Sequence, residues 1–540
     1  MASTVYQAFA RASRQWPTNP FLCVLPESAK IYGIPAVEWK YAELAEQIDR
    51  LRVAYEVAGY GHGHRVGLLL ENRPSFFLHW FALNALGVSV VPINADMRAA
   101  ELEYLIGHSE IALAVALAPR HDELSSAAVK AGRPFKVIAD GDAPPPAAFP
   151  PPQAGAAPHE LTECALLYTS GTTGRPKGCI LPNRYFLHAG QWYAHVGGLA
   201  SLRPGRERMI TPLPLVHMNA MAYSAMATVM TGGCLIPLDR FHPRTWWESV
   251  RSSQATVIHY LGVMPAMLMK AEPSASDREH SVRFGFGAGV DRSLHSVFEE
   301  RFGFPLLEAW AMTETGAGAV VIAHKEPRHI GTSCFGHEAS DVLVRLVKDD
   351  GDEAGAGEQG ELLVRHAGDD PRHGFFAGYL KDPAATDEAW ADDWFQTGDI
   401  VCRDGDGYLH FVDRKKNVIR RSGENISAVE VESVLNQHPA VKTSAVAATP
   451  DPVRGDEVLA CIVTQEPVRA SDQPALAAEI VSYALSQLAY YKAPGYVAFI
   501  ETLPLTASQK IQRGELKALA QRLPDQPDCI DTRELKKRQS

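Results

Sequence analysis

The first part of the chain alternates between short apolar runs and segments with helical periodicity. Tyr41, Leu44, Ile48, Leu51 and Tyr55 recur at helical spacing and stop before a glycine-rich turn. The pattern continues as a strand at 66–70, a helix at 74–86, a strand at 88–93, a helix at 97–106 and a strand at 111–117. Because strands that alternate with helices form parallel sheets, the pattern predicts an α/β fold with helix-covered parallel sheets.

Further strands of this kind are predicted at 256–260, 283–287 and 305–310, and after residue 342 the pattern changes. Short alternating strands at 342–347, 361–364 and 408–412 predict a smaller antiparallel subdomain. Two strands, one long helix and a final helix after Arg513 predict a small C-terminal α+β domain. The expected division is an N-terminal domain at 1–412, a hinge at 413–416, a C-terminal domain at 417–532 and a charged, frayed tail at 533–540.

Length, charge and cysteine content exclude several classes of protein. A chain of 540 residues exceeds what one core supports, and a net charge of −11 argues against a general nucleic-acid binder. The longest apolar stretches are interrupted by polar residues, which argues against integral membrane association. Eight scattered cysteines without zinc-type spacing fit a reducing cytosol and indicate no zinc-type site. A cytoplasmic location is therefore expected, and a homodimer is left open.

Residues 168–178 form a Gly/Ser/Thr-rich segment with a lysine, directly after an apolar run. Glycines let amide groups turn inward, hydroxyls add donors and a lysine adds charge, as phosphate-binding loops require. The spacing differs from that of a Walker A loop, and a polar surface turn is the alternative. The candidate phosphate ligands are Thr169, Ser170, Gly171, Thr172, Thr173, Gly174 and Lys177.

Several later segments carry candidate chemistry. Glu314 follows an apolar strand and suits magnesium beside phosphate oxygens, although a Thr-Glu pair also begins helices. Asp399 follows a glycine and suits ribose hydroxyls, although an Asx turn is the simpler interpretation. The basic stretch at 413–426 is either a solvated turn or a phosphate-facing hinge. Lys510 lies in a proline-led loop, where most lysines are merely solvated.

Taken in order, these segments resemble the adenylate-forming (AMP-binding) superfamily, and most closely its acyl-CoA synthetase branch. Within that branch, the chain is similar to the carnitine/crotonobetaine-CoA ligases and the medium-chain or aryl-acid CoA ligases. The matching segments run over essentially the whole chain: 168–178, 212–217, 310–314, 360–362, 397–399, 413–416, 492–494 and 504–510.

The resemblance implies a two-step ligase that uses ATP, Mg²⁺ and coenzyme A with a small carboxylic acid. The carboxylate attacks the α-phosphate of ATP to give acyl-AMP and pyrophosphate, and the CoA thiol then displaces AMP. Negative charge accumulates between carboxylate and phosphates, and lysine, magnesium and backbone amides relieve it. The implied fold has a large N-terminal domain and a small, mobile C-terminal domain.

The resemblance also implies individual roles. The catalytic set is Lys510, which bridges carboxylate and α-phosphate, Glu314, which holds magnesium, Thr313, His217 as an aromatic gate, and Lys416 as the hinge. The nucleotide set adds Gly287, Ala288, Glu308, Ala309, Trp310, Asp399 and Arg414 to the phosphate ligands. The CoA set is Ser422, Gly423 and Glu424. The acid set is His217, Met218, Met221, Tyr260, Gly289, Trp310 and Ala311.

Three departures and two alternatives accompany this resemblance. Gln509 and Ala311 replace glycines that are usual in the family, and Asn417 replaces a common acidic residue. An enzyme that loads a carrier protein would share every ATP residue, but Met218 follows His217 where amino-acid adenylation domains carry Asp. A non-catalytic relative is disfavoured by the complete catalytic set. The acid is left open among aliphatic, aryl and carnitine-like compounds.

The role of Lys510 can be tested through the two half-reactions. We expect Lys510→Ala to abolish acid-dependent ATP–pyrophosphate exchange, because the lysine neutralises charge only in the first step. Thioester formation from supplied acyl-AMP and CoA should survive. Equal loss of both half-reactions would show that Lys510 does not act in adenylation alone.

Overall fold

The structure is a computed structural model that describes residues 2–97, 99–169, 176–415, 417–421, 424–451, 454–488, 490–505 and 511–536. Its internal contacts divide the chain into two units. The first unit comprises Met1–Val290, Leu294–Val344 and Val364–Gln396, and the second comprises Asp291–Ser293, Arg345–Leu363 and Thr397–Ser540. The domain boundary predicted between residues 412 and 413 stays a prediction.

One sheet of the first unit contains several of the predicted strands. Its strands lie in the order Val321–Ile322, Leu306–Trp310, Phe284–Gly287, Val257–His259, Arg208–Thr211, Cys234–Pro237, Pro20–Val24 and Val37–Lys40. Pairing is parallel from Leu306–Trp310 through to Pro20–Val24 and antiparallel at both edges. The predicted strands at 256–260, 283–287 and 305–310 are therefore neighbours in one parallel sheet.

The second sheet of this unit contains the predicted phosphate-loop strand. Its order is Gly378–Tyr379, Lys177–Pro182, Glu163–Thr169, Ser89–Pro92, Arg65–Leu69, Leu113–Ala116 and Lys136–Ala139. The strands from Glu163–Thr169 to Lys136–Ala139 are parallel, whereas Lys177–Pro182 pairs antiparallel on both sides. The central strands Arg65–Leu69, Ser89–Pro92 and Leu113–Ala116 are almost entirely buried, as is typical of a helix-covered parallel sheet.

The helices between these strands bury broad apolar surfaces. Helix Pro74–Ala85 starts at a proline, which suits the first turn, and buries aromatic rings on more than one face. Phe9 stacks on Phe81 with ring centroids 4.7 Å apart. The α-helices of this part of the chain are Val5–Gln15, Pro26–Tyr32, Tyr41–Val57, Pro74–Ala85, Ala99–Ser109, His121–Lys130, Asn183–His195, Met226–Thr231, Trp246–Ser252, Val263–Leu268, Arg292–Phe302 and Pro383–Ala389.

The strands predicted after residue 342 are present as Val342–Val347, Gln359–His366 and Leu409–Arg414, with Cys334–Gly336, Trp390–Ala391 and Trp394–Arg403 in addition. In the second unit, the pairing of Trp394–Arg403 with Leu409–Arg414 is antiparallel. The mixed α/β class and the antiparallel subdomain predicted from the sequence are thus confirmed. None of the described helices has the length and apolar character needed to span a bilayer.

The C-terminal part of the second unit is an α+β fold with its own core. Its sheet follows the order Glu424–Ile426, Ile419–Arg421, Gly455–Thr464, Tyr496–Phe499 and Cys529–Asp531, and Val441–Asp451 also pairs with Gly455–Thr464. The helices are Ala428–Leu435, Gln473–Gln487 and Arg513–Ala520. Val458, Ile462, Ile480 and Val481 are fully buried in one cluster between sheet and helices.

The charged end of the chain is anchored as far as residue 536, so the predicted fraying is wrong for this part. Lys536 is buried, and its Nζ donates to Glu457 Oε1 at 2.5 Å. The Glu457 carboxylate also accepts from Arg421 Nε at 2.9 Å. A buried charge is stable only when it is paired, so burial of Glu457 requires these cations.

We expect Lys536→Met to destabilise the C-terminal fold by roughly 2–3 kcal/mol, since a buried carboxylate loses one of its charged donors. Hydrogen exchange of the amides in strand Gly455–Thr464 would measure this. Lys517→Met is the matched control, because Lys517 is exposed on helix Arg513–Ala520. Equal protection in both variants would contradict the anchoring role.

Candidate active site

The predicted phosphate loop connects two antiparallel neighbours. Thr169 is the last residue of its strand and pairs with Lys177, the first residue of the next strand. The phosphate-binding positions predicted between them lie outside the described residues; they are Ser170, Gly171, Thr172, Thr173 and Gly174. Both ends of the loop are therefore held side by side in a sheet, and Lys177 lies at its base.

A tyrosine connects this base with the predicted magnesium ligand. Lys177 Nζ lies 4.7 Å from the centre of the Tyr379 ring. The Tyr379 hydroxyl donates to Glu314 Oε1 at 2.9 Å, and the Glu314 side chain is buried. Burial, followed by the Glu314 carboxylate, raises the pKa of Tyr379, so the phenol keeps the proton that it donates. Lys177 therefore contacts the ring, and Glu314 the hydroxyl, of one side chain that sequence reasoning missed.

The turn at Thr313 and Glu314 is fixed by bonds to its backbone. The Tyr185 hydroxyl donates to the Thr313 carbonyl at 2.9 Å, and the Phe376 amide donates to the Glu314 carbonyl at 2.9 Å. The Tyr223 hydroxyl donates to the Gly316 carbonyl at 3.0 Å. Three separate segments therefore hold this turn. The backbone from which the Glu314 side chain extends is fixed in position.

The candidate nucleotide and acid residues follow consecutive parallel strands. His217 lies in the segment after strand Arg208–Thr211, and Tyr260 directly follows Val257–His259. Gly287, Ala288 and Gly289 end or follow the next strand, whereas Glu308, Ala309, Trp310, Ala311 and Thr313 end or follow Leu306–Trp310. Because carboxyl ends of parallel strands share one edge, these residues come together, at the edge where α/β sheets bind ligands.

Two glycines in this edge are required by close approach and by backbone conformation. A Cβ at Gly287 would meet the Tyr260 carbonyl oxygen at 2.3 Å. Gly289 has a φ of +80°, a conformation that side chains disfavour. The backbone at 287–289 can therefore pass close to neighbouring strands and stays accessible at Ala288 and Gly289, which are exposed.

Glu308, assigned to the adenine site, holds the following turn. Its Oε2 accepts the Gly289 amide at 2.9 Å, and its Oε1 accepts the Val290 amide at 3.0 Å. The Tyr260 hydroxyl also donates to Oε1 at 3.2 Å. Burial raises the pKa of Glu308, while the two amide bonds oppose that rise. Both oxygens are thus engaged by the protein, and Glu308 acts by positioning residues 289 and 290.

Two of the candidate acid-binding residues lie at a π-helix. Met218 precedes the π-helix Asn219–Ala225 and Met221 is within it, and both are buried. His217 is exposed at the turn before it. Because π-helical turns are frequent at functional sites, this segment fits a substrate-binding role.

His259 is a structural histidine rather than a ligand for a polar substrate group. It is completely buried, and burial lowers its pKa to about 3. Its Nδ1 lies 2.8 Å from Asn219 Oδ1 and its Nε2 lies 3.2 Å from the Tyr193 hydroxyl. Both ring nitrogens are therefore engaged within the protein.

Sequence reasoning missed the aromatic side chains beside this histidine. The Phe286 ring lies 4.8 Å from Tyr193 and 4.9 Å from His259, and Trp192 lies 5.5 Å from Tyr223. Trp192 and Tyr193 come from helix Asn183–His195, far from the other members in the chain. Only the apolar character of position 286 and its strand could have been read from the sequence.

In the second unit, the two residues predicted to bind ribose are adjacent. Asp399 is buried and directly opposite Arg414 in the antiparallel pair of strands. Arg414 Nε lies 2.7 Å from Asp399 Oδ1, and the Asp399 amide donates to Thr397 Oγ1 at 3.0 Å. Ribose binding by this pair stays a prediction.

Several other predicted site residues cannot be placed, because they lie outside the described residues. They are Lys416, Ser422, Gly423 and Lys510, together with the side chain of Glu424.

Comparison with known families identifies the class. The AMP-binding enzyme model matches residues 9–380, and the AMP-binding enzyme C-terminal domain model matches residues 430–510. The chain therefore belongs to the AMP-binding enzyme family, which confirms the predicted adenylate-forming family and the enzyme class of AMP-forming acid–CoA ligases.

Individual relatives agree with this membership. The chain is 30% identical over 502 residues to a crotonobetaine/carnitine–CoA ligase of Shigella flexneri, covering 89% of this chain and 93% of the relative. An anthranilate CoA ligase solved with anthranoyl-AMP has a TM-score of 0.81 at 22% identity, covering 97% and 98% of the two chains. An o-succinylbenzoate CoA synthetase of Bacillus subtilis has a TM-score of 0.78 at 23% identity, covering 94% and 97%. The solved structures support the fold.

The bond between Tyr379 and Glu314 can be tested by Tyr379→Phe, which removes the hydroxyl and keeps the ring beside Lys177. We expect the concentration of Mg²⁺ needed for half-maximal ATP–pyrophosphate exchange to rise about tenfold, the value of one hydrogen bond to a carboxylate. Tyr483→Phe is the control, since the Tyr483 hydroxyl makes only a long, exposed hydrogen bond to Gln437 at 3.5 Å among the described residues. An unchanged Mg²⁺ dependence would show that Tyr379 does not position Glu314.

Proposed function

We propose that this chain is an ATP-dependent carboxylate–CoA ligase whose acid carries a neutral, apolar acyl or aryl group. The observation that carries the proposal is the contact of Lys177 with the Tyr379 ring and of Glu314 with the Tyr379 hydroxyl. It links the base of the phosphate loop to the carboxylate expected to hold magnesium, as a site for a magnesium–triphosphate requires. The family and its CoA ligases support CoA as the thiol acceptor over a carrier protein.

Magnesium fits the residues at this position. A single buried carboxylate beside a phosphate loop matches the preference of Mg²⁺ for one or two carboxylates completed by phosphate oxygens and water. When bound, the metal supplies charge that neutralises the triphosphate oxygens during displacement. Glu314 would hold it, and the bond from Tyr379 orients the carboxylate.

The protein's own groups then have separable tasks in acyl-adenylate formation. Lys177 and the loop that follows Thr169 bind the pyrophosphate that leaves. The backbone at Gly287, Ala288 and Gly289, positioned by Glu308, flanks the adenine, and Asp399 with Arg414 binds the ribose. Lys510 neutralises charge between the carboxylate and the α-phosphate. In the second step the CoA thiol attacks the acyl carbon, the acyl–phosphate bond breaks and AMP leaves.

The acid class follows from the charges available among the described acid-binding residues. Met218, Met221, Tyr260 and Trp310 offer thioether and aromatic surface, which suits an apolar group. Glu308 is hydrogen-bonded to Tyr260 of this set, and the Gly289, Val290 and Tyr260 donors engage both of its oxygens. It therefore provides no counterion for a quaternary ammonium, and a neutral acyl group is favoured over a carnitine-like one.

A carnitine-like acid is the second candidate. The relatives at 30% identity are crotonobetaine/carnitine–CoA ligases, and aromatic rings attract quaternary ammonium groups without a carboxylate.

The predicted cytoplasmic location is a separate matter. It fits the described cysteines, which are all free and mostly buried. That location and any homodimer stay predictions.

The direct test is pyrophosphate release from ATP and Mg²⁺ across a panel of aliphatic, aryl and trimethylammonium acids, with CoA, with a holo carrier domain or with neither. We expect neutral acyl or aryl acids to give the highest kcat/KM and CoA to give steady turnover. Preference for the trimethylammonium acids would overturn the acid class, and turnover with the carrier domain alone would overturn the CoA assignment.

The size of the acyl pocket can be tested at Ala311, where the family more often has glycine. We expect Ala311→Gly to raise kcat/KM for acids one methylene longer than the best substrate by roughly tenfold relative to that substrate, because one methyl group of space is gained. Ala391→Gly is the control, because Ala391 is exposed in strand Trp390–Ala391 and belongs to neither the acid set nor the nucleotide set. Equal specificity profiles in both variants would remove Ala311 from the acid pocket.

A further inference from the structure

Two histidines and an aspartate from distant parts of the first unit meet outside the residues assigned to ATP and acid. His188 lies in helix Asn183–His195, Asp341 directly precedes strand Val342–Val347, and His366 ends strand Gln359–His366. One ligand atom from each side chain lies within 4.8 Å of the other two. All three side chains are half-buried, so the cluster is accessible to an ion from solvent.

A third histidine borders the cluster. The His373 ring centre lies 4.9 Å from that of His188 and 4.9 Å from that of His366. Arg184, one turn before His188 in the same helix, forms an ion pair with Asp370 at 3.1 Å. The positive charge of this arginine is therefore compensated by a carboxylate outside the cluster. The cluster therefore combines imidazole nitrogens with one carboxylate.

The chemistry of His188 is that of a metal-ligand histidine. Among the residues that the structure describes, its buried Nε2 has no hydrogen-bond partner. In the tautomer that is protonated at Nδ1, Nε2 carries a lone pair that can bind a metal.

We propose that His188, Asp341 and His366 form a binding site for a divalent transition metal of the Zn²⁺ class. Two imidazole nitrogens and one carboxylate oxygen are ligands that Zn²⁺ takes, with bonds of about 2.0–2.2 Å and a fourth position for water or a further ligand. His373 is placed to supply that fourth ligand or to bind the water.

Metal binding requires a modest local adjustment. Tetrahedral ligands at such bond lengths lie about 3.4 Å apart, so the three atoms must approach from separations of up to 4.8 Å. His366 Nδ1 accepts the Gly368 amide at 3.1 Å. Coordination through Nε2 moves the proton to Nδ1 and replaces this exposed hydrogen bond.

The site would brace the turn that carries Glu314. Tyr185, one turn before His188 in the same helix, donates a hydroxyl hydrogen bond to the Thr313 carbonyl. A metal that joins this helix to Asp341 and His366 stabilises a framework of the adenylation site without contacting substrate. This role is structural and independent of the ligase proposal.

The test uses the full-length chain, stripped of metal with a chelator and titrated with Zn²⁺ alone, without ATP or Mg²⁺. Wild type is compared with His188→Gln, Asp341→Asn and His366→Gln by competition with a chromogenic chelator. The visible absorption of Co²⁺ in the same site reports its coordination. His195→Gln is the matched control, an exposed histidine of the same helix whose Nδ1 contacts the Gln191 carbonyl.

We expect wild type and His195→Gln to bind one equivalent of Zn²⁺ more tightly than the ligand variants, by roughly tenfold to 100-fold or more. Zn²⁺ should also raise the melting temperature of these two proteins and not that of the ligand variants. If His188→Gln fails to fold, Asp341→Asn and His366→Gln still decide the question. Equal Zn²⁺ affinity in all the variants, or none in wild type, would overturn the proposal.

Discussion

The constraint on which the site depends is the parallel pairing of four strands, Arg208–Thr211, Val257–His259, Phe284–Gly287 and Leu306–Trp310. Parallel pairing directs the carboxyl ends of all four strands to one edge of the sheet. Beyond that edge, the backbone N–H and C=O groups no longer bond to a neighbouring strand. The Glu308 carboxyl group fixes one of these segments, and Tyr185, Tyr223 and Phe376 fix another. Binding groups are thereby placed by hydrogen bonds to the backbone.

Sequence reasoning succeeded where local patterns determine the outcome. Helical spacing from Tyr41 to Tyr55 and the proline at residue 74 define helices that the structure contains, because these signals act within a few residues. The order of the motifs predicted the family. Asp399 and Arg414 were assigned to one ligand, and strand pairing does place them opposite each other.

Contacts between distant segments could not be read in this way. Tyr379 is 65 residues from Glu314, and nothing in its own segment marks it as a partner of that carboxylate. Glu308 was assigned to adenine from its motif, and that assignment stays a prediction; its bonds to the Gly289 and Val290 amides had no signal in the sequence. The cluster of His188, Asp341 and His366 likewise has no spacing signature, since each residue comes from a separate element. The anchoring of Lys536 by Glu457 depends on the same kind of long-range pairing.

The account rests on an acyl-adenylate formed at the edge of this sheet, and rapid chemical quenching tests it directly. The enzyme is mixed with ATP, Mg²⁺ and its preferred acid without CoA, and the nucleotides and acyl species are quantified before and after CoA is added. The account predicts that acyl-AMP and pyrophosphate form in step, that CoA converts the acyl-AMP to acyl-CoA and AMP, and that Glu314→Gln slows only the first stage. Formation of ADP and phosphate, or of acyl-CoA without prior acyl-AMP, would contradict it.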